Sequence, residues 1–174
     1  MIDRNVILAC WFCMLAAMAS PSWCANSGAV PTLVADASSE SRMQAEVKAT
    51  FSRFVAGQNT HDSSVVSDVL VRSRDFVWAQ GGGQSVWGFD EAMAVWKSVW
   101  KGSWHLDPQL DGLRITRIAP GVALLITPLL LTSADPGEQP STDPIRWAGV
   151  FVKTATGWRI ASLLITPYPD WDKH

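Results

Sequence analysis

The feature that most constrains this chain is a change of period at Gly102. Before it, apolar residues recur mainly at helical spacing. Beyond it, long runs such as GVALLITPLLLTS and IRWAGVFVKTATGWRIASLLIT read as strands broken by turns. In SESRMQAEVKATFSRFVAGQN, Met43, Val47, Phe51 and Phe54 form one stripe, and Gly57 is expected to close the helix through a positive φ. A shorter helix follows in THDSSVVSDVLVRS, with Asp62 as its N-cap and Val65, Val66, Val69 and Leu70 inward. Asp75–Gln80 and Ser85–Trp87 read as a hairpin around Gly81-Gly82-Gly83. A third helix after Gly88 places Phe89, Ala92, Met93, Trp96 and Trp100 on one face. Four long strands are then predicted, over 104–118, 122–133, 145–154 and 158–166. Pro120-Gly121, the segment from Asp135 to Pro144, and Thr156-Gly157 connect them. Pro128 removes an amide from the second of these strands, so a bulge or sharp bend is expected there. Three helices ahead of an antiparallel sheet define an α+β domain.

The N-terminus has its own pattern. VILACWFCMLAAMA is an uncharged apolar run, too short to span a bilayer, and Ala17-Met18-Ala19 has the small-x-small form of a signal-peptidase site. Residues 1–19 are therefore expected to be a signal peptide and the protein to be exported, periplasmic or secreted; the alternative, since Asp3 offsets Arg4, is an uncleaved N-terminal anchor. Trp23 before Cys24 does not fit a lipobox. Residues 20–38, rich in Ser, Ala, Pro and Gly, read as a linker; the domain is expected over 39–169, with a tail at 170–174. Cleavage leaves Cys24 as the one cysteine, so no internal disulfide forms. The net charge of −2 and the lack of a basic patch argue against nucleic acid or an anionic membrane as a partner, and the mature protein is not expected in the membrane.

The order of elements, with FVAGQNTHD, DFVWAQ, VWGFDEAMAVW and the closing VFVKTATGWRIASL, resembles the nuclear-transport-factor-2-like superfamily in its SnoaL-like branch. The resemblance implies a curved antiparallel sheet forming a cone, three helices packed against it, and a homodimer. It also allows a residue-by-residue test. The general base of the ketosteroid isomerases falls on Gln80 or Ala79, neither of which takes a proton at neutral pH. Their oxyanion tyrosine falls on Phe51 or Phe54, and their partner Asp falls in the apolar run from Trp147 to Val152. Many relatives have histidines after Trp-Arg-Ile, where this chain continues Ala161-Ser162-Leu163-Leu164. The isomerase machinery does not carry over.

Other candidates come from the residues themselves. His105 and Asp107 lie two apart on a predicted strand, so they share a face and can serve an isomerase or lyase as an acid–base pair. The alternative is an ordinary strand-edge histidine beside a surface irregularity at Asp107-Pro108. Arg146, among apolar residues, can anchor a carboxylate through its planar fork or face solvent. His61-Asp62 is capping chemistry, and the glycine run lacks the Lys-Ser/Thr of a phosphate loop. The three histidines have no metal-ligand spacing, and no metal or other cofactor is implied. Ten tryptophans remain to be placed. Trp96 and Trp100 share a helical stripe, Trp104 belongs to a strand, and Trp78 and Trp147 are on strands that can face the same space. They are expected to be mostly core. Phe54, Trp78, Trp96, Trp147 and Arg146 are the candidate lining of a pocket for a small hydrophobic or aromatic molecule. A third possibility is an interaction domain whose cone is filled by its own rings.

Overall fold

The computed structural model describes residues 37–81, 83 and 85–168. The expected signal peptide, its cleavage site and Cys24 lie outside the described residues. Helix α1 (Ala37–Asn59) is followed by α2 (Ser63–Val69), β1 (Val77–Gln80), β2 (Ser85–Trp87) and α3 (Phe89–Val99). Then come β3 (Ser103–Pro108), β4 (Arg114–Ala119), β5 (Val122–Ala134), β6 (Ser141–Thr154) and β7 (Gly157–Pro167). The strands form one unclosed, curved sheet in the order β2-β1-β7-β6-β5-β3, with β4 also on β5. All neighbours are antiparallel except β1 and β7, which run parallel, so the sheet is mixed rather than purely antiparallel.

Three local expectations change. Gly57 lies inside α1, and the positive φ falls on His61, at 55°. Gly57 serves packing instead: a Cβ there would come within 2.9 Å of Val65 Cγ1, so its absence lets α2 lie close against α1. Asp62 caps α2 as expected, its carboxylate accepting from the amides of Ser64 and Val65. The run 104–118 is two strands, parted by a 3-10 turn over Leu110–Gly112.

That interruption explains Pro128. Strand β5 keeps unbroken register with β6 from Val122 to Ser133, Pro128 opposite Arg146, with no bulge. On its other side, β5 pairs with β4 as far as Ile126 and with β3 from Leu129. Pro128 sits in the gap between these partners, where no ladder bond requires its missing amide hydrogen. Its carbonyl still accepts from Gln109, and its ring packs where a side chain on Gly112 would be. The irregularity moved to the neighbouring strand.

The edge at β3 is covered by the end of α1. Asn59 donates from Nδ2 to Leu106 O and accepts from Leu106 N, at 2.9 and 2.7 Å, which mimics a further strand. His61 Nε2 lies 3.2 Å from the carbonyl oxygen of Trp104. Elsewhere α1 is pinned to the sheet by charge. Arg117 donates to Glu40, and Glu46 accepts from both Lys153 and the indole of Trp158.

Lys153 first, and then the Trp158 indole, hold the Glu46 carboxyl below its ordinary value. A lowered folded pKa contributes stability that is complete above the ordinary carboxylate range and is lost as pH falls through the folded value. Glu46→Gln is therefore expected to lower the urea midpoint at neutral pH. The gap from the parent protein should close as pH falls through the lowered folded value and the Glu46 carboxylate takes up its proton. Urea curves over that range check it; a gap of constant size would show that the charge on Glu46 plays no part.

Candidate functional site

The sheet's pleat decides which side chains enter the cone. On β5 the buried set is Ala123, Leu125, Thr127 and Leu129; on β6 it is Ile145, Trp147, Gly149 and Phe151. From the other side, α1 contributes Phe51 and Phe54, one turn apart, and α3 contributes Trp96. Strand β1 adds Trp78, opposite Leu163 of β7. Trp147, Phe54, Trp96 and Trp78, expected to line a pocket, touch one another ring to ring. Trp147 lies 4.8 Å from Phe51 and 5.8 Å from Phe54 between centroids. Phe54 meets Trp96 edge-on at 5.8 Å, and Trp96 stacks on Trp78 at 4.8 Å with 16° between planes. Phe76 joins the series through Trp96, and Phe151 through Trp147. All seven rings are at most 2 % exposed. The expected pocket lining is packing material.

Gly149 makes this possible. A Cβ on it would lie 2.4 Å from Trp147 Cη2, so the indole folds down along its own strand into the space a side chain would occupy. The polar contents of the interior are few. Thr50, Gln58 and Thr127 are the buried polar side chains among the described residues, and none of them ionises. Gln58 Oε1 accepts from the indoles of Trp100 and Trp104, at 3.2 and 2.9 Å, which fixes the amide's orientation. Its Nε2 and the Nε1 of Trp78 have no protein acceptor among the described residues. Trp100, half-buried at the C-cap of α3, is bracketed by this bond and by the stacked ring of His61, so it is less deeply set than its helical stripe suggests.

The polar candidates lie on the opposite face. His105 and Asp107 flank the buried Leu106 and are exposed, sharing the outer side of β3. Asp107 accepts from the side chain of Gln109 at 3.2 Å. Arg146 is also outward, its guanidinium carbon 4.0 Å from the centre of the Tyr168 ring. The structure brings Asp107 and Arg146 together as walls of one cleft of about 890 Å³, with Gln109, Asp111, Arg114, Ile126, Pro128 and Tyr168; His105 is not part of it. The cleft opens where β5 changes partners. Arg114 and Tyr168 carried no sequence signal, since only the strand register places them beside Arg146. Among the described residues no group of three or more His, Cys, Asp or Glu is placed to hold a metal.

A curved, unclosed sheet with three helices against its concave face is the architecture of nuclear-transport-factor-2-like proteins. Residues 47–165 match the SnoaL-like domain family, and the chain belongs to that family. A superfamily protein from Salmonella enterica serovar Typhimurium superposes with a TM-score of 0.65 at 15 % identity, over 74 % of this chain and 92 % of that one. A ketosteroid isomerase-like protein from Erwinia carotovora atroseptica gives 0.58 at 17 %, over 71 % and 94 %. A proposed aromatic ring hydroxylase from Novosphingobium aromaticivorans gives 0.64 at 16 %, over 72 % and 89 %. Identities this low speak for the fold alone. No curated protein matches the sequence.

Because the rings fill the cone, Trp147→Ala and Trp78→Ala are each expected to cost about 3–5 kcal/mol, as large-to-small core changes do. Gly149→Ala should cost about 1–3 kcal/mol by overpacking against the Trp147 ring. Trp100→Ala, at a half-buried cap, should cost less than either. Denaturant unfolding of the four variants gives the ranking, and a Gly149→Ala protein as stable as the parent would mean that Trp147 does not lie over that glycine.

Proposed function

We propose that this protein is a non-catalytic binding module of the SnoaL-like family, exported from the cell, that takes a small organic molecule outside its cone. One observation carries the reading: the interior is occupied by seven aromatic rings and contains no buried ionisable side chain among the described residues. Acid–base catalysis needs a titratable group within hydrogen-bonding reach of the substrate. Gln80, half-buried at the end of β1, and Phe51 and Phe54, locked in the ring cluster, supply none. An isomerase or lyase built on His105 and Asp107 would have to work on the outer face. No hydrogen bond joins the pair, and Asp107 is held by Gln109.

A second property is favoured by the outer face of the sheet. Leu124 and Val150 are neighbours across β5 and β6, and Ala148 and Leu164 form the next row across β6 and β7, beside the cleft rather than in it. Leu164 is 44 % exposed. Contiguous apolar rows on a sheet face suit burial against a second copy of the chain, and a homodimer is the proposed assembly.

These readings make joint expectations. A hydrophobic fluorescent probe should leave the native protein's tryptophan emission unchanged, and an unsaturated ketosteroid should not be turned over. Light scattering during size exclusion should give twice the chain mass, falling to one chain in Leu164→Asp. N-terminal sequencing of exported protein should begin near Ser20. Turnover abolished by a substitution inside the ring cluster would overturn the non-catalytic reading.

A further inference from the structure

The outer cleft has a composition that selects for one kind of ligand. Its volume of about 890 Å³ lies within the usual range of small-molecule sites. Pro128 and Arg146 are opposite each other on β5 and β6, and Ile126 is two residues along on the same face. These give an apolar floor with a guanidinium at one end. The guanidinium carbon lies over the Tyr168 ring, 4.0 Å from its centre. No protein acceptor among the described residues engages the N–H fork, which leaves it free for a ligand. Arg114 stands on the same face, opposite Ile126. It is two strands and two residues from Arg146, or roughly 12 Å between Cα atoms by ordinary sheet spacing. Its Nη1 is held by the carbonyls of Asp111 and Leu113, which fixes the side chain without neutralising its charge.

The lining also carries Asp107 and Asp111, neither of them in an ion pair. Two carboxylates against two guanidiniums leave the cleft without net charge. It therefore disfavours a dianion or polyanion, while one carboxylate can still be taken by the open fork in a bidentate pair. We propose that this cleft binds a small amphipathic monocarboxylate, its carboxylate on Arg146 and its apolar body across Ile126 and Pro128. This rests on the reading that the domain binds outside its cone, and it adds the chemical class of the ligand.

The test is a two-dimensional amide NMR titration of the full chain with phenylacetate, its methyl ester and phenyl phosphate. Phenylacetate is expected to shift the amides of Gln109, Gly112 and Tyr168 saturably. The ester and the phosphate should bind at least roughly tenfold more weakly, a difference of about 1.4 kcal/mol. Arg146→Gln should cause a similar loss, and Arg146→Lys should not restore binding, because a lysine offers neither fork nor stacking plane. Unchanged indole signals would confirm that both variants are folded. Binding that is absent up to the solubility of phenylacetate, or equal in Arg146→Gln, overturns the assignment while leaving the filled cone intact. Shifts confined to the indole signals of Trp78 and Trp147, with the cleft silent, would overturn both, since they would place the ligand among the core rings.

Discussion

The indole of Trp147 occupies the volume that a side chain at position 149 would need, and much of the domain follows from that exchange. A curved sheet has a concave face that helices alone fill poorly, because a helix is straight and its side chains fan outward. Folding a tryptophan down along its own strand brings the largest side chain to the deepest part of the concavity. Phe51 and Phe54 of α1 then have a ring to pack on, and Trp96 of α3 joins through Phe54. Each such pair contributes about 0.5–1.5 kcal/mol beyond the area it buries. Helices α1 and α3 are thereby set against the sheet by one continuous aromatic cluster.

Filling the cone has a chemical consequence. Among the described residues no ionisable side chain is buried, and the rings take the space that the sheet encloses. The charged side chains are displaced to the rim and to the outer face. At the rim they fasten α1, through Glu40 with Arg117 and Glu46 with Lys153. On the outer face they gather where β5 exchanges β4 for β3, because that exchange leaves a gap in an otherwise continuous wall.

Much of this was legible in the sequence. The helical stripes of α1 and α3, the Asp62 cap and the strand alternation on β5 and β6 predicted the α+β architecture, because each follows from a local period or a capping rule. Trp78 and Trp147 were correctly expected to face one space. Whether that space was open could not be read, because it depends on Gly149, a residue whose importance lies in a three-dimensional contact with its neighbour but one. Pro128 pointed correctly to an irregularity, but a missing amide can be accommodated by either strand of a pair, and here the neighbouring one broke. Gly57 looked like a helix end because stop signals and close-packing glycines are the same letter. Asp107 and Arg146 were both named, but only the pairing of β3 and β6 with β5 puts them around one cleft.

The parallel pairing of β1 with β7 carries a consequence for how the chain reaches this state. Trp78 is opposite Leu163, about 85 residues later, and Leu70 bridges Ile160 across a similar interval. Strands β4 to β7 can zip up from successive turns, whereas β1 and the short β2 beside it have no sheet to join until β7 exists. Closing so long a segment is slow compared with forming a hairpin. During synthesis, β1 and β2 have no strand partner beyond each other until β7, the last strand in chain order, has emerged. Until that strand is made, Trp78 lacks the neighbouring strand that flanks it in the finished domain.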